Sequence, residues 1–143
     1  MGLDITAYAR LVAVGEMTDD SIDYGMEHIV LYDNTDFPGR CAPIDCKMYY
    51  SGDKCDIRLG LSYSWYNSFR DWIDSKFKGE EDAKLIVNFA DNEGTIGTDA
   101  CKKLAALFAT KQDLKADKEW GYHFSNLLAM LTFASDGGCL KFH

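Results

Sequence analysis

Leu3, Ile5, Ala7, Ala9, Leu11 and Ala13 alternate with Asp4, Thr6, Tyr8 and Arg10, a period of two that predicts a half-buried strand. It begins almost at the first residue. Residues 16–25 are polar, with Asp19, Asp20 and Asp23 grouped, and read as a solvated connection. Residues 28–32 then predict a second strand. Residues 33–40 are turn-rich, because Asx side chains bond their own backbone and Pro38-Gly39 fixes a tight reversal, with Arg40 displayed beside it. Residues 47–50 and 56–61 read as two arms of a hairpin around Ser51-Gly52-Asp53.

The period then lengthens. Trp65, Phe69, Trp72, Ile73 and Phe77 recur at helical spacing after Ser62 or Ser64, either of which can cap through its hydroxyl, and Lys78-Gly79 supplies a stop. Residues 85–89 are too short for periodicity to separate a strand from a helix begun at Glu80. Helix is preferred, because Glu80, Glu81 and Asp82 sit where a helix N-terminus favours negative charge. Thr98 with Asp99 opens the next helix, striped by Cys101, Leu104, Ala105 and Phe108. A further helix over about residues 116–134 carries Trp120, Phe124, Leu127, Leu128 and Leu131 and ends at Asp136-Gly137-Gly138, where glycine takes a left-handed cap. Residues 139–143 alternate as a closing strand. The expected architecture is α+β, one domain over residues 1–143: a small antiparallel sheet containing the N- and C-terminal strands, packed against three or four helices.

Composition narrows the function. With 23 acidic against 15 basic residues the net charge is −8, so the average field repels nucleic acid and anionic membrane. Direct nucleic-acid binding is not expected. No apolar run approaches the length of a bilayer span, and no secretory leader is evident at the N-terminus. Five cysteines, Cys41, Cys46, Cys55, Cys101 and Cys139, form an odd set without a Cys-x2-Cys knuckle. They read as reduced thiols of a cytoplasmic protein, with no metal and no cofactor expected.

Residues 89–98 concentrate candidate chemistry. Gly94 and Gly97 can adopt angles closed to other residues, and Gly97 precedes the N–H groups of a helix start, a setting for an anion or a diol. Thr95 lies between them, and Asp91 and Glu93 could accept hydroxyl protons or serve as metal or base groups. The competing reading is a tight turn with Thr98 as cap, and the spacing matches neither the dinucleotide fingerprint nor the phosphate-binding loop. Residues 62–72 interleave aromatics with hydrogen-bonding groups. Tyr63, Tyr66 and Arg70 fall off the apolar stripe and are the ligand candidates there, since aromatic faces stack on bases and guanidinium pairs with phosphate.

Met1-Gly2-Leu3-Asp4-Ile5-Thr6-Ala7-Tyr8, Phe37-Pro38-Gly39-Arg40, Ser62-Tyr63-Ser64-x-Tyr66-Asn67-x-Phe69-Arg70, Phe89-Ala90-Asp91-Asn92-Glu93-Gly94-Thr95-Ile96-Gly97 and Lys141-Phe142-His143 occur in order. With them the chain resembles, over nearly its whole length, a family of small uncharacterised phage and prophage proteins. The resemblance brings no established activity and does not include the cysteine segment at residues 41–55. It implies the cytoplasm of an infected host, where small phage proteins disarm defences by binding a defence protein or by sequestering or cleaving a nucleotide signal. The first expectation is a non-enzymatic binding protein, an anti-defence factor taking a nucleotide-derived immune signal. Gly94, Thr95 and Gly97 would supply backbone donors, Arg40 and Arg70 charge, Tyr63 and Tyr66 stacking, and Asp91 and Glu93 hydroxyl contacts. The alternatives are an acidic protein–protein inhibitor of a defence or nucleic-acid-binding complex, and a small nucleotide hydrolase using Asp91 and Glu93. A homo-oligomer with the pocket between two copies stays open.

Overall fold

A computed structural model describes residues 2–17, 28–89 and 94–143. The chain runs β1 (Gly2–Glu16), β2 (Ile29–Val30), β3 (Met48–Ser62), α1 (Tyr63–Lys76), α2 (Lys84–Val87), β4 (Gly94–Ile96), α3 (Thr98–Ala109), α4 (Gly121–Ala134) and β5 (Cys139–Phe142), with short 3-10 turns at Glu81–Ala83 and Gln112–Ala116. The strands form one sheet in the order β2-β3-β1-β5-β4, with every pair antiparallel. This is the expected single α+β unit, and both terminal strands lie in the sheet. No helix among the described residues is long and apolar enough to cross a membrane.

Register assigns the two faces. Leu3 opposes Leu61, and Ile5 opposes both Leu59 and Phe142; all join the main core, as do Leu140 and Ile96. Helices cover this face. Tyr66, Phe69 and Ile73 of α1, Leu104 and Phe108 of α3, and Phe124, Leu127 and Leu131 of α4 are buried beneath it. Aromatic rings interlock across these helices, Phe77 on Phe108 at 5.1 Å and Phe108 on Phe124 at 5.1 Å between centroids. A smaller cluster of Leu31, Tyr50 and Cys139, with Tyr8, Ile44, Cys46 and Met48 against it, fills part of the opposite face.

Four local expectations change. The hairpin at Ser51-Gly52-Asp53 is absent: β3 is one fifteen-residue strand alongside an equally long β1, with register shifts that mark bulges. Gly52 serves that bulged pairing, since a Cβ there would lie 2.8 Å from the Ala9 carbonyl oxygen, and a strand glycine commonly marks such an approach. Only Ile29–Val30 of the second strand forms, and most of the polar connection at residues 16–25 lies outside the described residues. The last long helix begins at Gly121 rather than near residue 116, after the Asp117 carboxylate accepts from the N–H groups of Glu119 and Trp120. On α1, Phe69, Ile73 and Phe77 of the expected stripe are buried, but at its start Tyr66, 1% exposed, takes the inward place expected of Trp65, which is 53% exposed.

Candidate functional site

The Phe37–Arg40 turn closes through Arg40 N–H donating to the Phe37 carbonyl at 3.1 Å, with Gly39 at φ 77°. Arg40 is carried inward rather than displayed. Its guanidinium lies 5.1 Å from the Phe37 ring centroid and 5.8 Å from that of Phe89, and Nη1 donates to the Leu85 carbonyl. Partial burial lowers its pKa from the ordinary value, yet a guanidinium keeps its charge in such surroundings. Arg70 mirrors it from α1. It rests 5.1 Å from the Tyr66 ring centroid, and donates to the Val87 carbonyl at 2.9 Å and to Asn67 Oδ1. Leu85 and Val87 end a four-residue helix, where carbonyls lack helical donors. Two arginines supply them.

Tyr66 Oη reaches the Phe89 carbonyl at 3.4 Å, a long contact, and Gly94 packs on the Phe89 ring. Arg40, Tyr66, Arg70 and Gly94 are thus gathered around residues 85–89. Gly97 joins through its N–H, which donates to the Arg40 carbonyl at 2.9 Å. Tyr63 sits one turn earlier in α1, half-buried against the main core. Asp91 and Glu93 lie outside the described residues.

The helix start after Gly97 differs from the expected anion cradle. Asp99 N–H donates to the Ala42 carbonyl at 3.3 Å and Cys101 N–H to the Gly97 carbonyl at 3.0 Å. The Thr98 hydroxyl donates across to the Gly138 carbonyl at 2.6 Å and does not cap the helix. Chain packing takes the donors that a ligand would need. A Cβ on Gly97 would fall 2.0 Å from the Cys41 carbonyl oxygen, so the glycine permits close backbone approach. Thr95 is 1% exposed; its buried hydroxyl has no hydrogen-bond partner of normal geometry, and it lies beside the Cys46 thiol, which it favours in the ionised form.

The surface left polar by the smaller cluster was not among the sequence candidates. Cross-strand partners share a face, so the pairs Thr6–Arg58, Thr6–Lys141, Tyr8–Lys54, Tyr8–Cys139 and Thr95–Lys141 place these side chains together on the side away from the helices. Thr6 Oγ1 is hydrogen-bonded to His143 Nε2 at 2.8 Å. Arg58 bridges to Asp4 at 3.0 Å, and Lys141 Nζ stands 5.4 Å from the Tyr32 ring centroid. Burial, then the charge of Lys141, pushes the His143 imidazole below its ordinary value; Arg58 and Lys54 push the same way and Asp4 opposes. Three cations therefore face one imidazole. Beside them lies a concavity of about 620 Å³ lined by Tyr8, His28, Ser51, Gly52, Lys54 and Lys141 among others, within the usual range for ligand pockets of roughly 300–1,000 Å³. The signal was present in the alternation of β1, β3 and β5, whose polar positions hold these residues.

The thiols lie nearby. Burial raises Cys46 and Cys101 to about 12 and lifts Cys139 well above the ordinary thiol value. Burial and then Asp33, whose carboxylate takes the Cys41 thiol hydrogen bond at 3.6 Å, raise Cys41. Such thiols stay protonated and unreactive at neutral pH. Among the described residues, no three His, Cys, Asp or Glu side chains are grouped to hold a metal ion. No protein-family model matches the chain, and neither a curated protein nor a solved structure matches it.

Proposed function

We propose that this protein acts by binding, as a phage or prophage accessory factor that sequesters a nucleotide-derived immune signal in the host cytoplasm. One observation carries the reading: a chain of net charge −8 gathers Lys54, Arg58 and Lys141 beside a concavity on a single sheet face. Local reversal of charge against the global field is what a site for a small anion needs, because the field of the nearest groups dominates within a Debye length of about 8 Å. Arg40, Tyr66, Arg70, Gly94 and Gly97 support the same reading in a different capacity. They clasp residues 85–89 and β4, whose Thr95 lies opposite Lys141 at the edge of the basic face.

The test is to purify the protein from bacteria under native conditions, denature it and identify by mass spectrometry any small molecule released. An anionic, nucleotide-derived compound recovered intact after incubation with excess protein supports sequestration. Recovery of cleaved products would move the protein to the hydrolase class. The acidic-inhibitor alternative draws on the net charge of −8, and predicts a protein partner whose affinity falls steeply with salt, as exposed charges are screened.

A further inference from the structure

We propose that the open sheet face is a phosphodiester-binding subsite in which Lys54 and Lys141 take the phosphate oxygens from either side of Tyr8, and His143 adds a third donor by accepting a proton as the ligand binds. This rests on the binding reading above and names the ligand chemistry of that site. The two lysines flank the central strand: Tyr8 pairs with Lys54 on β3, and Thr6, on the same face of β1, pairs with Lys141 on β5. Strands are about 4.8 Å apart, so the two backbones stand roughly 10 Å apart across β1, a span that two lysine side chains can close around one phosphate. Arg58 is tied to Asp4 and sets the field rather than the grip.

The imidazole sits at the end of this row. Its Nε2 is held by the Thr6 hydroxyl at 2.8 Å, and Thr6 is 2% exposed, so the ring has a fixed anchor. Facing it are Asp4 from β1, Lys54 and Arg58 from β3, and Lys141 from β5; Asp56 lies in the β3 bulge between Arg58 and Lys54, and Tyr8 and Cys139 complete the face. Burial first, and then these cations, disfavour the protonated ring. An anion placed among the same lysines cancels that repulsion, and the ring then gains a proton and with it a second N–H donor. The concavity of about 620 Å³ bordered by Tyr8, Ser51, Gly52, Lys54 and Lys141 has room for the sugar and base, with Tyr8 as a stacking surface.

Cyclic AMP and cyclic di-AMP are suitable probes, because a diester keeps a constant charge across neutral pH and any proton taken up belongs to the protein. Calorimetry of the full chain in two buffers of different ionisation enthalpy counts protons, and carbon-detected NMR follows His143 with His123, packed against Phe69 and Trp120 on the helical side, as the reference. The expected results are saturable binding of at least one probe, a rise of about one pH unit or more in the His143 midpoint on saturation, and a loss of affinity of roughly tenfold or more for K54Q and for K141Q. His143→Gln should bind without proton uptake. Urea midpoints of the variants check folding, and these side chains are exposed or half-buried. Probe binding with an unmoved His143, or unchanged affinity in both lysine variants, overturns the subsite. If neither probe binds at millimolar concentration while an anionic nucleotide co-purifies, the subsite fails and the sequestration reading stands. If nothing binds and nothing co-purifies, both fail.

Discussion

Replacing Gly97 by alanine should cost this protein more stability than any change at an exposed glycine. The added Cβ would lie 2.0 Å from the Cys41 carbonyl oxygen and 2.4 Å from that of Ala42, where real contacts are essentially never below 3.0 Å. Relief requires the residue 41–44 turn to retreat by about 1 Å, the shortfall from that limit. That movement breaks the hydrogen bonds from Gly97 to Arg40, at 2.9 Å, and from Asp99 to Ala42, at 3.3 Å. Two backbone hydrogen bonds at about 1 kcal/mol each, plus about 1–3 kcal/mol for overpacking, give roughly 3–5 kcal/mol. For a chain of this size the corresponding fall in Tm is about 10–20 °C. Urea denaturation and calorimetry measure both quantities. Gly79 is the control: it sits at φ 82° with nothing within 4 Å, so its alanine variant carries only the left-handed penalty of about 1–2 kcal/mol. A Gly97→Ala loss no greater than that of Gly79→Ala would refute the close-approach account and return Gly97 to a conformational or ligand role.

Two further outcomes follow from burial. Cys101 is fully buried and its folded-state pKa is raised from 9.0 to about 12. A raised value means the folded state holds the proton more tightly. The stability from this group is therefore complete below the unfolded value and is lost as pH climbs toward the folded one, at up to about 1.4 kcal/mol per pH unit. Urea midpoints taken from about pH 8 to pH 11 should fall, and Cys101→Ala should flatten the slope; an equal slope in both proteins would remove this thiol as a cause. Deleting residues 139–143 should abolish cooperative folding, because β5 lies between β1 and β4 and carries the buried Leu140 and Phe142. A truncated chain that keeps a sharp thermal transition and native near-ultraviolet dichroism would contradict that docking.

Much of the fold was legible because periodicity is a local property. The alternation of Leu3, Ile5 and Ala7, the helical spacing of Phe69, Ile73 and Phe77, and the glycine stops at Gly79 and Gly137 each appear where residue chemistry placed them. Ser62 caps α1 through the Trp65 N–H at 3.2 Å. Failures cluster where a neighbour in space overrides local preference. Ser51-Gly52-Asp53 has turn chemistry, but β1 supplies a ladder on which the chain stays extended. Tyr66 fell off the aromatic stripe, yet the Phe89 carbonyl and the Arg70 guanidinium give its polar end and its ring buried partners.

The candidate site divides in the same way. By itself the sequence determined which residue types were available: two arginines and a glycine-rich turn in the motifs, and polar positions alternating along three strands. Tertiary structure decided how each is used. Arg40 and Arg70 each place one N–H on the carbonyls of Leu85 and Val87, and Gly97 is pressed against the Cys41 carbonyl, so these side chains and the glycine tie residues 85–89 and β4 into the fold. Lys54 and Arg58 share β3, whereas Lys141, 87 residues beyond Lys54 counting from position 54 to position 141, joins them only through the β3-β1-β5 order of the sheet. A one-dimensional pattern fixes which face of its own strand a side chain occupies; which strands lie side by side depends on burying the shared apolar face, and that choice assembles the basic surface.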